Sequence, residues 1–169
     1  MSVNIRVYRV FGSEVEPLRR ATEKELQRLL FGPEGGTGWE MDPDRMLDLE
    51  KSWLAVNHVL AGSDGRPPLT FLVDDAIGES IDYEFTYGPG RLVEPRLASE
   101  IAASISALPS ATIEARLDDA SSMSQLYPFS IGGSYAPEHR AWVAASFSEL
   151  TAFVCRAAKL DCGLLVGSA

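Results

Sequence analysis

Residues 49–62 read as a helix that is apolar almost all the way round, bounded by Leu49 at its start and Gly62 at its end. Such a helix is stable only where other elements cover it on nearly every side, so the rest of the chain must be built around it. At 100° per residue Leu49, Trp53, Val56 and Leu60 fall on one stripe, while Lys51 and His58 share the opposite side with Leu47 and Leu54. Trp53 is therefore expected in the core. Lys51 and His58 stand two turns apart, about 10 Å along the axis, so a cation and an imidazole can reach one anionic ligand held between them. The competing reading has Lys51 laying its stem along apolar surface and His58 bonding a backbone carbonyl inside the domain.

A chain of 169 residues with 46% apolar residues can bury a core of its own, and no composition break or internal repeat divides it. One domain over residues 1–169 is expected. The N-terminus alternates apolar and polar residues from Val3 to Val10, which is the period of a strand and not of a signal peptide. No apolar run approaches the roughly 18 residues that span a bilayer, so no membrane partner is expected. Cys155 and Cys162 fall seven apart in an expected helix, about 10 Å along its axis and too far for a disulfide. They read as reduced thiols of a cytoplasmic protein.

The formal net charge is −9, a field that repels phosphate backbones and makes nucleic acid an unsuitable partner. Between Arg66 and Arg91 there is no basic residue, whereas Asp74, Asp75, Glu79, Asp82 and Glu84 all lie there. This segment is either a solvated face or a docking surface for a basic protein partner, with Asp74, Asp75, Asp82 and Glu84 as its contacts.

Along the chain, a first strand over residues 3–11 is followed by a helix over residues 22–30, opened by a capping box of Thr22 and Glu25. Pro17 suits an earlier turn of it. Arg20, Lys24 and Arg28 form a basic stripe on its outer side, read as solvated. The glycine-rich stretch over residues 32–38 lacks the Lys-Ser/Thr of a phosphate loop, since Trp39 and Glu40 follow, and reads as a surface loop. Asp42, Asp44 and Asp48 lead into the helix of residues 49–62. Residues 69–73 are expected to form a short strand and residues 81–87 an alternating one, with Ile81, Tyr83, Phe85 and Tyr87 on its buried side and a turn at Gly88, Pro89 and Gly90. Pro95 opens a helix that runs to Pro109, residues 110–117 form another, residues 118–136 an irregular connection, and residues 137–159 a long helix. Residues 164–166 return as a strand. The fold class expected is α+β: several helices on a small sheet of short strands.

Lys51-Ser52-Trp53 with His58 and Gly62, then Pro68-Leu69, Tyr87-Gly88-Pro89, Glu94-Pro95 and Tyr127-Pro128, occur in an order that resembles the YfbM-like family of small bacterial proteins, DUF1877. The resemblance implies an α+β cytosolic bacterial protein. It implies no activity, and no catalytic residue is carried over.

The remaining chemistry is sparse. Tyr87 and Arg91 flank the Gly88-Pro89-Gly90 string, where an aromatic ring and a guanidinium suit a carboxylate or phosphate. Tyr127 in the irregular connection is a further residue for the same cleft. No nucleophile elbow is present, and the two cysteines and two histidines lack zinc-ligand spacing, so neither a cofactor nor a metal is expected. Asp82 and Glu84 stand about 7 Å apart on one strand face, but that face looks to solvent, which does not suit a general acid. Two functions follow: a non-enzymatic interaction protein with an acidic docking surface, or a small-molecule enzyme or sensor built on Lys51, His58, Tyr87, Arg91 and Tyr127. The pocket reading requires a concave, positively charged cleft that contains at least Lys51 and His58, with His58 facing it.

Overall fold

The last strand of the chain is the central strand of its sheet. In a computed structural model describing residues 3–33 and 36–168, β1 (Ile5–Phe11), β2 (Met46–Asp48), β3 (Glu79–Phe85), β4 (Gly88–Val93) and β5 (Cys162–Ser168) form one sheet in the order β2-β1-β5-β4-β3. Every neighbouring pair is antiparallel. The run Cys162-Gly163-Leu164-Leu165-Val166-Gly167 is buried throughout, as a strand with cover on both faces must be.

Alternation along these strands sorts the core into two layers. Val7, Val93, Leu164 and Val166 face α3 (Trp53–Ala61), α4 (Pro95–Ser106) and α8 (Pro137–Lys159). Tyr8, Val10, Leu92 and Leu165 face α1 (Gly12–Arg20) and α2 (Glu23–Phe31), whose Val15, Leu18, Leu26 and Leu30 complete the second layer. The single domain is thus α+β, helices on both faces of an antiparallel sheet. Among the described residues no helix is long and apolar enough to cross a membrane.

Phe85 fixes two glycines of this sheet. Its ring lies so close to Gly90 and Gly167 that a Cβ there would sit 2.7 and 2.6 Å from ring carbons. The small residues make room for the aromatic side chain that closes this end of the second layer.

Several expected elements match. The Thr22/Glu25 capping box is formed, with the Glu25 carboxylate accepting from the Thr22 backbone N–H at 2.8 Å. Pro95 opens α4, and α5 (Ser110–Leu117) and α8 keep their expected bounds. Other expectations are corrected. Residues 69–73 are not a strand but a series of turns, in which the N–H groups of Val73 and Asp74 both donate to the Thr70 carbonyl at 2.9 Å. Gly88, Pro89 and Gly90 are not the turn but the start of β4, which places Arg91 in the sheet interior. α1 is a full helix from Gly12, β2 was not anticipated, and residues 118–136 contain α6 (Ala120–Met123) and α7 (Phe129–Gly132). Cys162 sits in β5 and not on a helix with Cys155; both thiols are free, and burial pushes the Cys162 thiol up. Of the glycine-rich loop over residues 32–38, Glu34 and Gly35 lie outside the described residues.

The second layer contains a polar group that sequence gave no sign of. Tyr8, fully buried, donates its hydroxyl to the Glu40 carboxylate, which Arg6 also pairs at 3.0 Å, while Arg6 bonds Asp48 at 3.1 Å. Burial, reinforced by Glu40, drives the Tyr8 phenol well above its ordinary value, so it remains a donor. Tyr8→Phe leaves Glu40 short of a partner and is expected to lower stability by about 1–3 kcal/mol in chemical denaturation. A change below measurement error would show that the bond contributes nothing.

Candidate functional site: the His58 cleft

α3 does not begin where periodicity suggests. Glu50 has φ 46°, and a 3₁₀ turn over Glu50–Ser52, stabilised by Ser52 Oγ donating to the Leu49 carbonyl at 2.7 Å, precedes the helix. A 3₁₀ turn advances about 120° per residue, so the projection that joined Lys51 to His58 fails there. Lys51 is exposed and His58 half-buried, and only His58 lines the cleft described next. Trp53 is also only half-buried; its indole Nε1 donates to the Val3 carbonyl at 2.8 Å.

The cleft, of about 600 Å³, opens at the C-terminal end of α3, between that end, residues 62–69 and the junction of α5 with α6. Its polar side chains are His58, Ser63, Asp64, Arg66, Arg116 and Asp119, with Leu69 and Ala115 among the apolar ones. Arg116 is anchored. One guanidinium nitrogen, Nη1, donates to the carbonyls of Val59 and Leu60, both at 2.7 Å, and so satisfies two of the acceptors that a helix end leaves open. Its Nε and Nη2 make no bond to a described residue, which leaves an edge suited to a bidentate anion. Gly62 makes this possible twice over: its φ is +68°, and a Cβ on it would lie 2.8 Å from Nη2. Gly62→Ala is therefore expected to cost about 1–2 kcal/mol through the left-handed backbone alone, and to displace the guanidinium as well, which denaturation and ligand titration would each register.

Burial lowers the His58 imidazole below its ordinary value; Asp119 opposes this shift and Arg116 adds to it. Asp119 is itself held low, chiefly by its bonds with Ser122, whose N–H it accepts at 3.0 Å as the cap of α6. Neither Arg66 nor Arg116 has a carboxylate within ion-pairing distance among the described residues, whereas Arg6, Arg19, Arg45, Arg140 and Arg156 are all paired.

Tyr87 and Arg91 do come together, with Trp53 and Asp75, along a second groove of about 300 Å³. Arg91 is not free to recognise a ligand there. Its Nη1 donates to the carbonyls of Phe71, Asp74 and Ile77 at 2.9, 2.7 and 3.1 Å, and Nη2 to that of Leu72 at 3.1 Å. Tyr127 is half-buried and lines neither cavity. The acidic residues are dispersed: Asp74 bonds Thr70 and the Ala76 N–H, Asp75 stands beside Arg91, and Asp82 and Glu84 are exposed on the edge strand β3. Arg116 and Asp119 were missed because they lie on a segment remote in sequence, and Asp64 and Arg66 because they sit in the turn that follows α3, with no motif linking any of them to His58. Among the described residues no cluster of three metal-ligating side chains occurs.

The architecture and cleft define a small α+β protein with a mixed-charge cleft at a helix end. The family model of DUF1877, a domain of unknown function, matches residues 1–166, and the chain belongs to that family. Among solved structures it is similar to YfbM from Escherichia coli, a protein of unknown function, at 14% identity and a TM-score of 0.61, with 98% of each chain covered. At that identity the likeness speaks for the fold alone. No curated protein matches the chain.

Proposed function

We propose that the protein binds a small anionic molecule in the His58 cleft, as a ligand-binding protein or sensor of the bacterial cytoplasm. The observation that carries this reading is the pair of guanidinium groups, Arg66 and Arg116, that have no ion-pair partner among the described residues and line a cavity of ligand size in a chain of net charge −9. The free thiols Cys155 and Cys162 suit a reducing compartment. A thermal-shift titration with inorganic phosphate and simple carboxylates tests the reading, because a ligand of the native state raises its melting temperature. The expected result is a rise that Arg66→Gln and His58→Gln both diminish. A flat response across all these anions would refute it.

pH supplies a second test. Because the folded-state value of His58 lies below its ordinary 6.5, the unfolded chain takes up the proton first. The stability associated with neutral His58 is complete above that pH and is lost as pH falls through the lowered value. Anion binding runs the other way: a bound anion favours the imidazolium, so affinity is expected to rise on acidification below pH 6.5. His58→Gln should flatten both profiles, and an unchanged profile in the variant would remove His58 from the site.

The docking of a basic partner is supported by a narrower observation: Asp82 and Glu84 are exposed on an edge strand and make no ion pair among the described residues. Charge reversal at both positions should abolish retention of such a partner in a native pull-down, and retention by the variant would eliminate this surface.

A further inference from the structure

Resting on the anion-binding reading, we infer that the ligand of the His58 cleft is a zwitterion of the amino-acid type, with a carboxylate on the two arginines, an ammonium on Asp64, and an apolar group between them. The cavity is not uniformly positive. Asp64 lines it, exposed and without a hydrogen-bond or ion-pair partner among the described residues, although Arg66 is only two positions away. A carboxylate in that position works against a simple anion and in favour of a molecule that also carries a cation.

Two further features have the same sense. The cleft lies at the C-terminal end of α3, where the helix dipole is negative and favours a positive group. Asp119, although engaged as the cap of α6, adds a second negative charge on the α5–α6 side, next to His58. Apolar surface from Leu69 and Ala115 lies among these charges and gives an aliphatic side chain a surface to cover. Phosphate monoesters or dicarboxylates, with more negative charge and no cation, would leave Asp64 without a partner and be repelled by Asp119 as well.

The experiment is calorimetric titration of the whole protein with L-leucine and leucyl-leucine, each set against the analogue lacking the amino group, and with inorganic phosphate as the reference anion. The expected result is that at least one amino compound binds about tenfold more tightly than its desamino analogue, as one charge-assisted hydrogen bond would give. In Asp64→Asn, whose side chain is exposed and whose loss does not endanger folding, that advantage should vanish while binding of the desamino carboxylate is retained. If phosphate or the desamino analogues bind as well as the amino compounds, the zwitterion proposal is overturned and the anion site stands. If none of these probes binds, both fall together.

Discussion

Replacement of Arg91 by methionine is expected to destabilise the protein by about 3–5 kcal/mol, the largest effect of any single substitution considered, read as a fall in the denaturation midpoint at unchanged slope. The reason is the number of acceptors that one side chain serves. Residues 69–77 form no ladder of their own with the sheet, so their inward carbonyls need donors from elsewhere. The Arg91 guanidinium supplies them to Phe71, Leu72, Asp74 and Ile77 at 2.7–3.1 Å, and so ties the segment that covers Phe71 and Leu72 onto β4. Burial pulls this guanidinium below its ordinary value, opposed by Asp75 and Asp74, and it stays charged nonetheless. Methionine fills comparable volume and provides no donor, which leaves the carbonyls of Phe71, Leu72 and Ile77 with none, while that of Asp74 keeps only the Ile77 N–H at 3.0 Å. Arg91→Lys should recover only part of the loss, since one ammonium cannot span acceptors that a planar fork reaches. A loss below about 1 kcal/mol for Arg91→Met would mean that water replaces the guanidinium at these carbonyls.

The second large effect concerns Arg116. Arg116→Gln is expected to weaken binding of a carboxylate or phosphate by about 10- to 100-fold, the equivalent of one or two hydrogen bonds to a charged group. Stability should fall as well, by about 1–2 kcal/mol, because the carbonyls of Val59 and Leu60 lose their donor. Arg116→Lys separates the two roles: the charge is kept, the fork is lost, and a bidentate site should recover little of its affinity. Calorimetry with the reference anion gives the affinities and denaturation the stabilities. Unaltered affinity in both variants would move the anion elsewhere, whatever the effect on stability.

The helices show how far local patterning reaches. α4 and α8 were legible because proline at their first positions and apolar residues at 3.6 spacing act within one segment. The Thr22/Glu25 box was legible for the same reason, since both partners lie within one turn. Residues 69–73 misled because a short apolar run has the same appearance as a buried strand or a buried turn. What decides between them is the source of hydrogen bonds, and here the donor is Arg91, more than a dozen positions away. Gly88, Pro89 and Gly90 misled likewise: the string suits a turn, but β5 offers β4 a partner and Phe85 requires a glycine at position 90.

At the site, one residue of the five expected to bind a ligand, His58, lies in the cleft at the end of α3. Lys51 was set apart by the positive φ of Glu50 and the 3₁₀ turn that follows, neither of which a helical projection contains. Tyr87 and Arg91 share another groove with Arg91 consumed by the fold, and Tyr127 lines neither. By itself the sequence determined the class, an α+β domain, along with its longest helices and its acidic balance, because these depend on composition and short-range periodicity, and its short strings in order carried the resemblance to DUF1877. Tertiary structure alone decided which cations are paired and which are free. Pairing depends on distances between side chains in the folded chain, and it is this that leaves Arg66 and Arg116 beside His58 without a carboxylate within ion-pairing distance among the described residues.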